Sequence, residues 1–175
     1  MRTTATLVLL TLATAMPLAA QEHEMKGGGF ADIKPLHSQF LGWMASAAEQ
    51  MPEADYSYRP TADVRTFGQM IGHVAGANYT FCAAAKSEES PSKVDFEKVT
   101  SKAALIAAIK GAAAYCETAY AMPHGKEHDE VNLFGMKGSR LWALTFNISH
   151  NAEHYGNLVT YMRMKGMTPP SSQRS

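Results

Sequence analysis

The sequence has no excess of charge of one sign, because its sixteen basic residues are balanced by sixteen acidic ones. A protein that binds nucleic acid through the phosphate backbone needs a basic surface, so the composition argues against a nucleic-acid partner. The sequence also lacks internal repeats, a phosphate-binding glycine loop and a Ser-His-Asp arrangement. What remains is one domain, since 175 residues suffice for a single hydrophobic core.

Cysteine is scarce, with only Cys82 and Cys116, and a CxxC motif is absent. Thioredoxin-like redox chemistry therefore has no support. Both cysteines lie in segments predicted to be helical, and sequence alone does not show whether their Cα atoms approach closely enough for a disulfide. We favour two buried small apolar residues over a disulfide, which an exported chain would permit.

Long apolar runs are absent except near the start, where residues 1–20 have the pattern of a secretory signal peptide. Arg2 supplies the positive charge, an apolar stretch follows, and small residues precede a cleavage site after Ala20. A retained membrane anchor is the alternative, but the stretch is short and is interrupted by Pro17. We therefore expect a periplasmic or secreted protein without stable membrane insertion after cleavage.

Four helical patterns and no convincing strand follow a flexible lead-in at residues 21–31. The helices are expected at about 32–50, 66–86, 101–122 and 139–165. Asp32 is the expected N-cap of the first, Thr66 and Gln69 have capping-box spacing at the second, and Gly166 ends the fourth. This pattern predicts an all-α four-helix bundle over residues 32–167, with long connecting loops at 87–100 and 123–138 and a disordered tail at 168–175.

The fourth helix carries His150 and His154, whose i,i+4 spacing turns both imidazoles the same way. They lie away from an apolar stripe that includes Leu144 and Tyr155. The opposite face bears few charges, since it carries Ala143, Phe146, Asn147, Asn157 and Tyr161. A helix that is apolar on one side and uncharged on the other is expected to be covered on both sides. This favours a cleft over open water. Since two histidines at this spacing often arise by chance, they are either a metal chelate or two unrelated polar side chains that share a face.

A third ligand would have to come from one of the five other histidines. His23 lies in the lead-in, His124 and His128 lie in a loop, and His37 is expected to be exposed early in the first helix. His73 lies inside the second helix beside the apolar stripe. It is either a buried histidine with its own hydrogen-bond partner or a metal ligand, and helix geometry does not choose between them.

Two segments resemble a known family. "RTFGQMIGHVAGANYTF" is similar to the second helix of the DinB/YfiT-like metalloprotein superfamily, and "SHNAEHYGNLVTYMRMKGMTPP" to its last helix. The resemblance extends from about Asp32 to Pro170 and implies a four-helix bundle. It further implies a metal bound by His73, His150 and His154.

Three imidazoles leave one position of a tetrahedral ion open, which is typical of catalytic sites. We expect a divalent transition metal, with zinc as the first candidate and nickel, iron or manganese as alternatives. The function expected is a metal-dependent hydrolase or group (thiol) transferase acting on a small molecule, with Asn147 and Tyr161 as candidate helpers. The alternative is a non-catalytic metal- or ligand-binding bundle of the cell envelope, and a homodimer is compatible with either.

Overall fold

The computed structural model describes residues 28–173, so the predicted signal peptide and most of the lead-in lie outside the described residues. Four helices form the domain: α1 (Phe30–Gln50), α2 (Phe67–Lys86), α3 (Lys102–Ala119) and α4 (Arg140–Met164). Helices α1 and α2 lie at opposite corners of the bundle, and each packs between α3 and α4. The predicted all-α bundle is confirmed. None of the helices in the described part of the chain has the length and apolarity needed to cross a lipid bilayer.

The helix ends follow from their capping residues. Thr66 and Gln69 form the predicted capping box, with the backbone N–H of each donating to the other's side chain at 2.9 and 3.2 Å. The hydroxyl of Ser139 caps α4 by accepting from the N–H of Trp142. Helix α1 instead begins two residues before the predicted cap, after Gly29, and has no side-chain cap. Asp32 lies in its first turn, where a carboxylate is favoured by the helix dipole.

The loop between α3 and α4 contains a β-hairpin, so the prediction of no strand was wrong. Strands β1 (Glu130–Leu133) and β2 (Met136–Ser139) pair antiparallel, with Leu133 opposite Met136. The two turn residues, Phe134 and Gly135, both have positive φ, as a two-residue hairpin turn requires. The strands are only four residues long and phenylalanine is an unusual residue at positive φ, which explains why the pattern was missed.

The chain after α4 does not fray immediately. Pro170–Ser172 form a short 3-10 helix, and the backbone N–H of Ser171 donates to the Tyr155 hydroxyl at 2.8 Å. Gln173 donates to the side chain of Gln50 at the end of α1. Residues 168–173 therefore depart from the expected disordered tail, because they close the end of the bundle.

The interior is divided into two apolar clusters with polar side chains between them. One cluster includes Leu41, Ile71 and Leu158, and the other includes Phe81 and Leu144. The polar side chains are buried and come from three helices: His37, Asn78, Asn147 and Asn151. We call these four residues the Asn78 network.

The position of His37 is a correction to the sequence prediction, because the residue is only 1% exposed rather than on the surface. Its ring stacks on Tyr120 with centroids 4.1 Å apart. The Asn78 amide nitrogen donates to the Val74 and Asn151 oxygens, so Asn78 Oδ1 faces His37 Nε2 at 3.1 Å and accepts its proton. The neighbouring polar groups that make this burial possible come from α2 and α4, which the sequence around His37 does not reveal.

Cys82 and Cys116 form a disulfide that links α2 to α3, with Cα atoms 5.4 Å apart. Both residues are fully buried, so the expected burial was right and the preference for unpaired thiols was wrong. The approach of their helices decides the pairing, and helix spacing along the sequence does not report it.

Candidate metal centre

Three histidine side chains converge between α2 and α4. The Nε2 atom of His150 lies 3.1 Å from Nε2 of His73 and 3.1 Å from Nε2 of His154. Their potential ligand atoms all lie within 4.8 Å of one another. The structure thus brings together the three residues predicted as ligands, and it leaves His124 and His128 apart in the loop before β1.

Burial favours the neutral form of His150 and His154. Desolvation, reinforced by the neighbouring His154 and His73, lowers the pKa of His150 to about 4. Burial is also the main reason that the pKa of His154 is lowered, followed by the charge of His73. A metal ligand must present a free nitrogen lone pair, so burial favours in His150 and His154 the protonation state that binding requires.

Glu97 orients His73. Its Oε1 atom lies 2.8 Å from His73 Nδ1, so that nitrogen carries the proton and Nε2 is left as a lone pair facing the other two histidines. Arg65 donates to both oxygens of Glu97, at 2.9 and 3.2 Å. Burial opposes ionisation of Glu97, but the hydrogen bonds from Arg65 and His73 outweigh it and lower the pKa of the carboxyl. The carboxylate is therefore ionised when it accepts from His73.

A glycine in α2 allows Glu97 to come this close. The crossover between α2 and α3 forms a short 3-10 helix, Phe96–Lys98, that rests on α2 at Gly72. A Cβ atom at Gly72 would overlap the carbonyl oxygen of Phe96. The missing side chain thus lets the crossover backbone pack against the helix one residue before His73, and Glu97 follows Phe96 directly.

Sequence reasoning missed both Glu97 and Arg65. Glu97 belongs to a polar loop with several other acidic residues, and its distance from His73 along the chain carries no periodic signal. One signal was present, since Gly72 and Gly76 lie four residues apart inside a helix and thus mark a face that a backbone can approach. That pattern predicts close packing on this face of α2, but it does not show which segment of the chain packs there.

The other two histidines are less firmly held. His154 Nδ1 lies 3.4 Å from the side-chain amide nitrogen of Asn157. His150 Nδ1 is buried and has no hydrogen-bond partner among the described residues. Of the three histidines, only His73 is therefore fixed by a carboxylate. A divalent cation fits the three converging Nε2 atoms, because neutral imidazole is a common nitrogen ligand for such ions.

Two cavities reach the histidines from different sides. An apolar cavity of about 290 Å³ borders His73 and His150 and is lined by several phenylalanines. A polar cavity of about 600 Å³ borders His154. Glu97 lines both cavities. A small molecule could reach the convergence point through either opening.

Of the two predicted helpers, the structure places only Tyr161 beside the site. Tyr161 lines the polar cavity with His154, and its hydroxyl donates to the Arg65 carbonyl at 2.8 Å. Asn147 lines neither cavity, because its amide donates to Asn78 Oδ1 at 3.0 Å within the buried network. The helix wheel put Asn147 on the histidine side of α4. Its side chain is instead buried against Asn78 and Cys82, away from both cavities, so its role as a helper is withdrawn.

Comparison with known proteins points to one family for both the sequence and the fold. The DinB superfamily model matches residues 43–158. A DinB-like protein from Bacillus cereus ATCC 10987 has 15% identity and a TM-score of 0.69, with 81% of this chain and 93% of that chain covered. A DinB-like protein from Bacillus subtilis has 21% identity and a TM-score of 0.63, with 81% and 99% covered. No curated protein matches the chain significantly. At these identities the two structures establish the fold alone.

Proposed function

The chain belongs to the DinB superfamily, and on that premise we propose that it binds one divalent transition metal through His73, His150 and His154. The observation that carries this proposal is the convergence of three Nε2 atoms, with His150 Nε2 3.1 Å from each of the others. Zinc is the first candidate, with nickel, iron and manganese as alternatives, because three imidazoles accept several first-row ions.

The reaction that the site supports best is hydrolysis or group transfer, including thiol transfer, on a small molecule. A bound ion of this kind would act as a Lewis acid on a substrate group in its remaining position. The chain's own residues do the positioning: Glu97 holds the proton on His73 Nδ1, and Arg65 holds Glu97. Tyr161 remains a candidate for contact with substrate in the polar cavity.

We also propose that the protein works in an oxidising compartment outside the cytoplasm. The signal-like pattern of residues 1–20 motivates this proposal, and the buried Cys82–Cys116 disulfide supports it, because such bonds persist mainly in oxidising environments. Fractionation of the native host, followed by N-terminal sequencing of the mature chain, tests it. An N-terminus that still contains Arg2, together with cytoplasmic recovery, would refute export.

Metal binding is tested by adding zinc, nickel, manganese and ferrous iron in turn to metal-free protein and measuring stoichiometry and affinity. We expect one equivalent per chain, and at least a hundredfold weaker binding in His73→Ala, His150→Ala and His154→Ala. His128→Ala is the matched control, because His128 is exposed in the loop before β1. Unchanged affinity in His150→Ala would sink the proposal.

Catalysis needs a separate measurement, because a non-catalytic metal-binding bundle would pass the first test. Metal-loaded and chelated protein should be compared on ester, phosphoester and thiol-transfer substrates. Activity that disappears on chelation and returns with metal supports the enzyme. If every rate is the same with and without metal, the non-catalytic alternative is the better account.

A further inference from the structure

The apolar cavity beside His73 and His150 has an unusual lining for a surface opening. Aromatic rings from four parts of the fold surround it: Phe81 on α2, Phe96 in the crossover, Phe134 in the hairpin turn and Phe146 on α4. Phe134 and Phe146 both meet Phe81 edge to face, with centroids 5.4 and 5.2 Å away. The cavity is therefore bordered by a cluster of aromatic rings.

The mouth of this cavity exposes apolar surface to solvent. Phe134 is 61% exposed and Val94 is 56% exposed, and both line the cavity. Exposed large apolar side chains that meet at one opening mark a binding site more often than single scattered ones do. A ligand that filled the cavity would cover part of both side chains.

The floor of the cavity is helix backbone. A Cβ atom added at Gly76 would meet only a ring carbon of Phe96, at 3.8 Å, so the position faces open space. The neighbouring polar side chain, Thr80, already donates its hydroxyl to the Gly76 carbonyl at 3.1 Å. A flat group can therefore lie against α2 without leaving an unsatisfied hydroxyl beneath it.

Size and charge narrow the ligand further. A cavity of about 290 Å³ is small for a drug-sized molecule, yet an apolar cavity of about 150 Å³ is enough to bind benzene. The fully charged side chains in the lining are two carboxylates, Asp95 and Glu97, which pair with Lys98 and Arg65. One ring with a small substituent fits, and among the described residues the lining holds no lysine or arginine to pair with an anionic ring.

We propose that this cavity is the subsite for a neutral single-ring aromatic group of the substrate, whose polar end lies at the three histidines. The inference rests on the proposed function, because it places the reacting group at the metal site. It adds the substrate class: a small aromatic compound that carries a metal-binding or metal-polarised group one short linker from its ring.

The test compares benzohydroxamate with acetohydroxamate on zinc-loaded protein. Both present the same chelating group, and only the first carries a ring. We expect benzohydroxamate to bind about ten- to a hundredfold more tightly, as burial of one ring face and edge predicts. In Gly76→Leu the side chain fills the cavity floor, so this advantage should vanish while acetohydroxamate affinity stays the same.

Two controls accompany this variant. Gly42→Leu makes the same substitution at an exposed position of α1 with open space around it, and should keep the full aromatic advantage. Gly76→Ala should reduce the advantage only partly, and it should not harm folding because alanine favours a helix over glycine. Equal affinities in the wild type, or an advantage that survives Gly76→Leu, would overturn the inference.

A failure of the proposed function is distinguishable from a failure of this subsite. If the protein takes up no zinc, or if neither hydroxamate binds after zinc is bound, the proposed function fails. The cavity is then tested alone by titrating metal-free protein with toluene and following the NMR signals of Ala77 and Phe81. Shifts in the wild type that are lost in Gly76→Leu support the ring-binding cavity, and no shift in the wild type overturns it.

Discussion

His37 and His150 are both histidines inside the same bundle, and burial lowers the pKa of each to about 4. Their partners differ. His37 Nε2 donates to the oxygen of Asn78 within a set of amides that can both donate and accept. His150 Nε2 faces the Nε2 atoms of His73 and His154. The His73 Nε2 atom is an acceptor, because the His73 proton lies on Nδ1, where it is donated to Glu97.

The contrast separates two uses of buried polar groups. In the Asn78 network the donors and acceptors are of unlike kinds, so most needs are met inside the protein and the network stabilises the fold. In the histidine cluster the groups are alike, and the proposed metal would be their common partner from outside. Substitutions in the network should therefore reduce stability, and substitutions at the cluster should reduce binding.

The largest effect should follow Asn78→Ala. This substitution removes the common partner of His37, Asn147 and Asn151 and leaves three buried polar groups without it. We expect the free energy of unfolding in urea to fall by about 5 kcal/mol. Asn157→Ala, at an exposed asparagine of α4, should cost less than about 0.5 kcal/mol. A loss under about 1 kcal/mol in Asn78→Ala would mean that the network does not stabilise the fold.

Next comes the disulfide, whose Cys82 sulfur lies 3.7 Å from the Asn147 amide of the same network. The bond closes a loop with a sequence separation of 34 residues. Replacing both cysteines by alanine should lower the free energy of unfolding by about 4 kcal/mol, because the unfolded chain regains loop entropy. Equal unfolding midpoints for this variant and the oxidised wild type would contradict the expectation. Metal affinity, measured under folding conditions, should be unchanged.

The pH dependence of stability should expose His37. Its pKa of about 4 in the folded protein lies below the ordinary histidine value of 6.5, and the leading cause is burial. Between these values the unfolded state binds more protons, so the free energy of unfolding falls as pH falls from about 6.5 to 4. The His37 share of that fall is about 3 kcal/mol.

His37→Gln isolates this share, because its amide nitrogen can still donate to Asn78 without titrating. The difference in stability between wild type and His37→Gln should therefore shrink as pH is lowered through this window. A constant difference across the window would show that His37 does not titrate with folding. The histidine cluster is present in both proteins, so its own titration cancels.

The smallest effect should come from Glu97→Gln, which acts on the other side of the comparison. It keeps the size of the side chain but weakens the hold on His73 Nδ1 and on Arg65. Metal affinity should fall about ten- to a hundredfold. Glu153→Gln is the matched control, because Glu153 is an exposed carboxylate lining the polar cavity beside His154. Equal losses in the two variants would indicate a general charge effect rather than orientation of His73.

The sequence alone predicted most helix ends and the relative position of two of the three candidate ligands, His150 and His154. The Thr66–Gln69 capping box, the Ser139 cap and the i,i+4 pair His150–His154 are local relations, which side-chain spacing along one helix expresses directly. His73 was assigned through a resemblance, since its own helix left a buried histidine equally plausible. The hairpin was not predicted, because its strands are short and its turn contains a phenylalanine.

Glu97, His37 and the disulfide show the limit of local patterns. Each depends on which elements face each other: the crossover on α2 at Gly72, the Asn78 amide opposite α1, and α2 against α3 at Cys116. Their signals are separations of 24, 41 and 34 residues along the chain, which have no periodicity to detect.

The sequence by itself determined four amphipathic helices, the capping box of α2 and an i,i+4 pair of histidines, because these follow from backbone propensity and from the 3.6-residue repeat. The tertiary structure alone decided which polar groups meet. It placed the Asn78 amide oxygen against His37 Nε2, and it brought three imidazoles together beside an aromatic cavity. Complementarity between groups on different helices depends on how the helices pack. Helix packing therefore distinguishes the polar residues that stabilise the fold from those proposed to bind a ligand.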